Sequence, residues 1–287
     1  MKAIMKHELC LYFQSMTAYV FGAALLVVVG IGSMMYNINA SVSNFEYVLS
    51  FGSIAFVIVV PILTMRIIAE ERKQKTDILL YSLPVTTTDI IAGKYLALLI
   101  VFAIPMAIVS VYPLIFSLFG DVYLLTAYGS IFSFLVLGAA LIAVGVFISS
   151  LTENSGLAAG ICVAVILFNY FSVSLSEYVS STALGSAIVL ILLIFLITLV
   201  VGKLIKNESI STMVFIACTA IITITYLIKS SLFEGLVPNI MSRLSLFDQF
   251  SSFVNGAFDM KAMVYFISVI IFFLFLSVQS LEKRRYN

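Results

Sequence analysis

Long uninterrupted runs of apolar residues dominate the chain. A helix needs about 20 apolar residues to cross about 30 Å of hydrocarbon. Strands of a membrane barrel would alternate apolar and polar residues over about 10 positions, and these runs do not alternate. The pattern therefore predicts an all-α polytopic membrane protein with about eight transmembrane helices. The predicted spans are 18–36, 47–69, 95–119, 122–151, 157–175, 183–202, 210–228 and 262–281.

Composition excludes several other classes of protein. The 287 residues are 62% hydrophobic and 10% charged, whereas soluble domains are about 45–50% apolar and about 25% charged. A water-soluble domain and a disordered chain are therefore both excluded. Fifteen basic and 14 acidic residues leave a net charge of +1, which provides no basic field for binding nucleic acid.

Lys and Arg residues are distributed unequally between the predicted loops. Of the 15 such residues, all but Lys229, Arg243 and Lys261 fall on the side that holds the N-terminus. Cytoplasmic loops carry the excess of Lys and Arg in membrane proteins. We therefore predict that both termini are cytoplasmic and that residues 229–261 form an extracytoplasmic segment. Its apolar residues near one helical face favour an interfacial helix or a re-entrant hairpin, with a surface helix over the span ends as the alternative.

Residues 2–14 are too polar to cross a membrane. Their apolar positions recur at helical spacing, which predicts an amphipathic helix within residues 1–17 at the inner interface. The alternative is a frayed, solvated tail. The apolar positions are Ile4, Met5, Leu9, Tyr12 and Phe13.

The largest cytoplasmic insertion covers residues 70–92. We expect the helix of the second span to continue through Glu70, Glu71 and Arg72. An apolar cluster then precedes Pro84, which should end a helix, and Thr86 with Asp89 forms a capping signature for the next helix. This arrangement favours a docking helix on the cytoplasmic side over an ordinary positive loop. The cluster is Ile78, Leu79, Leu80, Tyr81 and Leu83.

Catalytic and ligand-binding signatures are missing from the sequence. No phosphate-binding loop occurs, since Gly93-Lys94 lacks the upstream glycine and the following hydroxyl. One His and three Cys offer no metal-site spacing, and a Ser-His-Asp triad cannot be built within the membrane. The span interiors carry almost no ionisable residue, which favours a subunit driven by a partner over an ion-coupled carrier.

Two weaker features lie in the predicted fifth span. Gly156 and Gly160 form a G-x-x-x-G pair that permits close helix contact, either with a second subunit or within the chain. Asn169 needs a hydrogen-bond partner there, and it either lines a transport pathway or meets a structural partner.

Three stretches of the sequence resemble ABC-2 type transporter permeases. The start of the chain is similar to the opening of these permeases, where a short interfacial helix leads into the first span. Residues 60–97 resemble the strongest motif of that family, with Glu-Glu-Arg at 70–72, Thr-Asp-Ile-Leu-Leu at 76–80, a Pro, and Gly-Lys leading into the next span. The ending, 244–286, resembles the gliding-motility-type branch of the family.

The resemblance implies a single ABC-2 type transmembrane domain over residues 1–287. It implies a non-catalytic permease, multi-pass in the bacterial cell membrane, that pairs with a second permease and with a dimer of cytoplasmic ATPase subunits. ATP and Mg would bind the ATPase, and no cofactor would bind this chain. The residues that would couple to the ATPase are Glu70, Glu71, Arg72, Lys75, Asp77, Ile78, Leu79, Tyr81, Leu83 and Pro84.

Three functions compete on the sequence. The first is the membrane-spanning subunit of an ATP-driven exporter. The second is a membrane anchor that passes force or a signal from an ATPase to an envelope partner without moving solute. The third, an intramembrane enzyme, is disfavoured by the missing catalytic sets.

Overall fold

The computed structural model describes residues 1–76, 85–178, 182–205, 208–256 and 259–286. Within these ranges the regular structure is helical and no strand occurs, which confirms the predicted all-α membrane protein. The first half contains α1 (Lys2–Gln14), α2 (Thr17–Ser33, continued by a π-helical turn over Met34–Asn39), α3 (Glu46–Gly52), α4 (Phe56–Thr64), α5 (Ala69–Gln74), α6 (Thr87–Val109), α7 (Tyr112–Ser117) and α8 (Leu124–Leu151). The second half contains α9 (Ser155–Tyr178), α10 (Ala183–Ile205), α11 (Glu208–Ile228), α12 (Leu236–Leu244), α13 (Leu246–Val254) and α14 (Met260–Tyr286).

Six helices in the described ranges are long and apolar enough to cross a membrane, rather than the eight predicted. A bent pair, Phe215–Tyr226 with Ser230–Leu244, raises the number to seven if it counts as one span. Its two helices meet at 110°, which is the geometry of a broken span or a re-entrant loop. Hydropathy adds up apolar residues along the sequence and does not report a bend between two helices. The six spans are Thr17–Asn39, Glu46–Gln74, Thr87–Ser117, Leu124–Leu151, Ser155–Tyr178 and Met260–Arg284.

The chain divides into two compact units, Met1–Tyr170 with Gln249–Asn287, and Phe171–Asp248. In the first unit α8 packs against α14, α4 and α6. Two glycines of α8 allow this close approach, because a Cβ at Gly138 would lie 2.4 Å from the Phe102 ring, and one at Gly145 would lie 2.3 Å from the Thr64 hydroxyl oxygen. Small residues at helix contacts serve membrane bundles in this way.

The helix of the second span is interrupted before it leaves the bundle. Residues 65–68 form a turn between α4 and α5, and α5 ends at Lys75 in the left-handed conformation (φ 57°, ψ 23°). The predicted helix at Glu70, Glu71 and Arg72 is therefore confirmed, but it is separated from the helix of the span by a turn. The reason is a hydroxyl from another helix: Ser149 accepts the N–H groups of Ile68 and Ala69, both at 3.2 Å.

The next helix begins where the capping signature predicted. The Thr86 hydroxyl accepts the Asp89 N–H at 3.2 Å and donates to the Asp89 carboxylate at 2.8 Å. These bonds satisfy one of the free N–H groups in the first turn of α6. We call the cytoplasmic insertion, residues 70–92, the coupling segment. Its end is thus fixed by hydrogen bonds between neighbouring residues.

Residues 229–261 contain two short amphipathic helices, α12 and α13. Val237 is buried on α12, whereas Ile240 and Leu244 are exposed. Phe250 and Phe253 of α13 are buried. The backbone is extended at Ser245 between the two helices, and whether the segment is interfacial, re-entrant or a cover over the span ends stays a prediction.

Candidate functional site: a buried charged cluster beside the coupling segment

A lysine ammonium lies buried where α1, α5 and α6 meet. Lys94 on α6 is 1% exposed. Its Nζ donates to Glu8 Oε1 at 2.5 Å, to Glu71 Oε1 at 2.6 Å and to the Ile67 carbonyl at 3.0 Å. An ammonium has three donors, so all of them are used. A buried charge is tolerated only when it is paired and hydrogen-bonded in this way.

The N-terminal helix reaches this cluster across a glycine. A Cβ at Gly93 would lie 3.1 Å from the Met1 carbonyl oxygen and 3.2 Å from the Ile4 Cβ, so the absence of a side chain lets α1 rest on α6. One helical turn beyond Glu8, the Tyr12 hydroxyl donates to the Leu63 carbonyl at 2.8 Å. Burial, and next the Glu8 charge, raise the pKa of Tyr12, which keeps this hydroxyl protonated as a donor.

The prediction of an N-terminal helix is confirmed, and the alternative of a frayed tail is wrong. The predicted apolar face is largely the one turned inward, since Tyr12 is buried and Ile4, Met5 and Leu9 are half-buried. Two residues depart from the prediction: Phe13 is exposed and Glu8 is buried. Glu8 is buried because its carboxylate accepts a hydrogen bond from the buried Lys94 ammonium. The interfacial position of this helix stays a prediction.

The charged turn at the start of the coupling segment divides into outward and inward residues. Glu70 is half-buried and its Oε2 lies 3.7 Å from Arg66 Nε, and Lys75 is exposed. Glu71 turns toward Lys94, and Arg72 is buried. Arg72 is therefore inaccessible to a partner in this arrangement and Glu71 is only partly accessible, and the coupling role of both stays a prediction. The remaining predicted coupling residues lie outside the described residues: Asp77, Ile78, Leu79, Tyr81, Leu83 and Pro84.

The far flank of the coupling segment is held by the last helix. The Thr87 hydroxyl donates to Glu282 Oε1 of α14 at 2.9 Å. Two residues further along α14, Arg284 donates to Glu153 at 2.7 Å, which joins α14 to the turn between α8 and α9. Both flanks of the segment are therefore fastened to helices distant in sequence.

The glycine pair of α9 makes no close contact within the described part of the chain. Gly156 donates its N–H to the Asn154 side chain at 2.9 Å, as part of a helix N-cap. A Cβ at Gly160 would meet no described atom within 4 Å. Contact with a second subunit and packing within the chain both stay predictions for the pair. Asn169 is half-buried on the same helix.

Sequence reasoning missed three residues of this site. It treated Lys94 as one more cytoplasmic cation, Glu8 as a polar position on a surface helix and Ser149 as part of a span. One signal was present: Glu8 occupies the same face as Ile4 and Tyr12, so an acid lay on the side that was expected to be buried. A buried acid requires a cation, and Lys94 sits inside a helical pattern.

Comparison with known proteins gives one family. The family model described as ABC-2 family transporter protein matches residues 23–195, more than half of the chain. The matched range includes Glu71, Lys94 and Ser149 and begins after Glu8. No curated protein and no solved structure matches the chain.

Proposed function

Because the chain belongs to the ABC-2 family of transporter proteins, we propose that it is the permease subunit of an ATP-driven exporter, of the gliding-motility type, powered by separate cytoplasmic ATPase subunits. One observation on this chain supports the proposal in addition to the family match. The segment that would dock on the ATPase is fastened at its start to Lys94, through Glu71, and at its end to Glu282, through Thr87.

These two attachments suggest how force enters the bundle. Movement of the coupling segment acts through Glu71 on α1 and α6, and through Thr87 on α14. Both attachments end on a carboxylate and are therefore charge-assisted hydrogen bonds, and in the Glu71 attachment the donor is charged as well. A docked ATPase would therefore act on several spans at once rather than on the second span alone.

The chain itself supplies no catalytic chemistry in this proposal. Its sequence has no phosphate-binding loop, so ATP and Mg are assigned to the ATPase partner. We place the complex in a bacterial cell membrane with both termini cytoplasmic. A second permease, identical or not, completes it, and the exposed glycine pair at Gly156 and Gly160 is a candidate contact.

The energy supply is tested with purified components. We expect the isolated chain to bind no ATP, because it lacks a phosphate cradle, and ATP turnover to appear only when the separate ATPase is added. Binding of a fluorescent ATP analogue and release of phosphate are the measurements. The ATPase alone is the control for turnover. Micromolar ATP binding by the isolated chain would contradict the proposed division of labour.

The orientation is tested by cysteine labelling in whole cells. We expect a membrane-impermeant maleimide to label Ser251→Cys and not Asn287→Cys, because the excess of Lys and Arg holds the loops near the termini inside. The background carries Ser in place of Cys10, Cys162 and Cys218. Permeabilised cells provide the control, since both positions should then react. The reverse pattern before permeabilisation would invert the topology and remove the docking proposal with it.

A further inference from the structure

The turn between α4 and α5 is stabilised by side chains from other helices. A helix that stops leaves N–H and C=O groups that need partners. At residues 65–68 Ser149 of α8 accepts two N–H groups and also donates to the Met65 carbonyl at 3.3 Å. The Lys94 ammonium of α6 donates a hydrogen bond to the Ile67 carbonyl at 3.0 Å. The interruption is therefore built into the packing, because side chains of α6 and α8 bond to backbone groups of the turn.

The two carboxylates that share Lys94 differ in their access to water. The Glu8 side chain is 6% exposed, whereas the Glu71 side chain is 28% exposed. A carboxylate that leaves a buried cation needs hydration in exchange. Glu71 can return to water with a small displacement of α5, but Glu8 would have to leave together with α1. The Lys94–Glu71 bond is therefore the one that can open.

Opening that bond leaves the Lys94 ammonium paired. Once Glu71 departs, Lys94 and Glu8 remain as a single pair, and the ammonium keeps the Ile67 carbonyl. A buried pair that stays intact avoids the cost of an uncompensated charge. The cluster thus tolerates both arrangements, which is the requirement for a two-state element.

We propose that residues 65–68 are a hinge between the second span and the coupling segment, and that Lys94 is the positioning residue that latches it. In the latched arrangement Lys94 joins Glu71 on α5 to Glu8 on α1. In the released arrangement it holds Glu8 alone and α5 bends at the hinge. This inference rests on the proposed function, since it assigns the motion to docking of the ATPase.

The test measures the distance between α1 and the end of α5. Spin labels are attached to the exposed Cys10 and to Thr76→Cys in a chain whose Cys162 and Cys218 are replaced by Ala. The chain is reconstituted with its ATPase. Double electron–electron resonance then measures the distance between the two spin labels, first without nucleotide and then with a non-hydrolysable ATP analogue. We expect one distance without nucleotide and a second one with it.

Variants of the cluster separate the latch from general stability. Lys94→Gln should populate the second distance without nucleotide at least about fivefold more than the parent does, and Lys94→Arg should restore the parent distribution because the charge is kept. Glu71→Gln should act like Lys94→Gln while leaving the Lys94–Glu8 pair buried, which covers the case in which Lys94→Gln fails to fold. Lys6→Gln, on the exposed face of α1, is the matched control and should resemble the parent.

The outcomes distinguish the latch from the proposed function. If the parent responds to nucleotide and both Gln variants keep its distance distribution, the latch is overturned. If no ATPase co-purifies with the parent, the proposed function has failed, and the nucleotide-free distances of Lys94→Gln and Glu71→Gln still decide the latch.

Discussion

Replacing Leu79 or Tyr81 by Asp is expected to abolish co-purification of the ATPase while the chain still inserts in the membrane. Both residues belong to the apolar cluster before Pro84, which would fill a groove on the ATPase as helix-in-groove partners do. Anchors of that kind cost about 2–4 kcal/mol when they are removed, and a buried carboxylate adds its own desolvation cost. The expected loss of affinity is therefore at least about thirtyfold.

The matched comparison is Glu70→Ala on the neighbouring turn. Glu70 pairs with Arg66 at 3.7 Å, with side chains that are 44% and 53% exposed, and ion pairs open to solvent in this way are worth about 0–1 kcal/mol. This variant should retain most of the bound ATPase. The measurements are the amount of ATPase recovered with each tagged variant, its stimulated turnover and the amount of chain in the membrane fraction. Full recovery and full stimulation with both Asp variants would place the ATPase contact elsewhere.

Adding one methyl group at Gly145 is expected to destabilise the first unit severely. A Cβ there would lie 2.3 Å from the Thr64 hydroxyl oxygen and 2.8 Å from the Thr64 Cβ and Cγ2. None of these atoms is the far end of a flexible chain, so α8 and α4 must separate. Overpacking of a close contact typically costs about 1–3 kcal/mol, and Gly145→Ala should fall at the upper end.

The same substitution at Gly129 is the control, because it lies on the same helix. A Cβ at Gly129 would meet no described atom within 4 Å, and Ala is favoured over Gly in a helix by about 1 kcal/mol. Gly129→Ala should therefore be neutral or stabilising. The fraction of monodisperse protein that survives heating, followed by size-exclusion chromatography, measures the difference. Equal melting of the two variants would mean that α8 and α4 can separate at little cost.

Local signals in the sequence were sufficient for the class of the protein and for several helix ends. The runs of apolar residues determined that the chain is an all-α membrane protein, because each span is read from its own 20 or so residues. The start of α6 was determined in the same way, since Thr86 and Asp89 lie within one helical turn and bond to each other. The helical character of residues 2–14 also followed from local spacing.

Features that depend on contacts between helices were decided by the tertiary structure alone. The helix of the second span looks continuous in sequence. It is interrupted because the hydroxyl of Ser149, 81 positions after Ile68, accepts the Ile68 N–H in place of a helical carbonyl. Within the described residues six helices, or seven with the bent pair, are long and apolar enough to cross, and the bend of 110° in that pair is not visible in hydropathy. The glycines at 138 and 145 differ from Gly160 only in what faces them.

The charged cluster shows the physical reason most directly. Glu8 and Lys94 are 86 positions apart, and each resembles an ordinary charge at the edge of the membrane. Hydropathy and helical spacing report on neighbours along the chain, within one or two turns. Which charges are buried together depends on how α1 lies on α6. Because Gly93 has no side chain, Met1 and Ile4 of the N-terminal segment can approach α6 closely at that position. The sequence thus determined which helices form, and their packing decided which carboxylates share the buried ammonium.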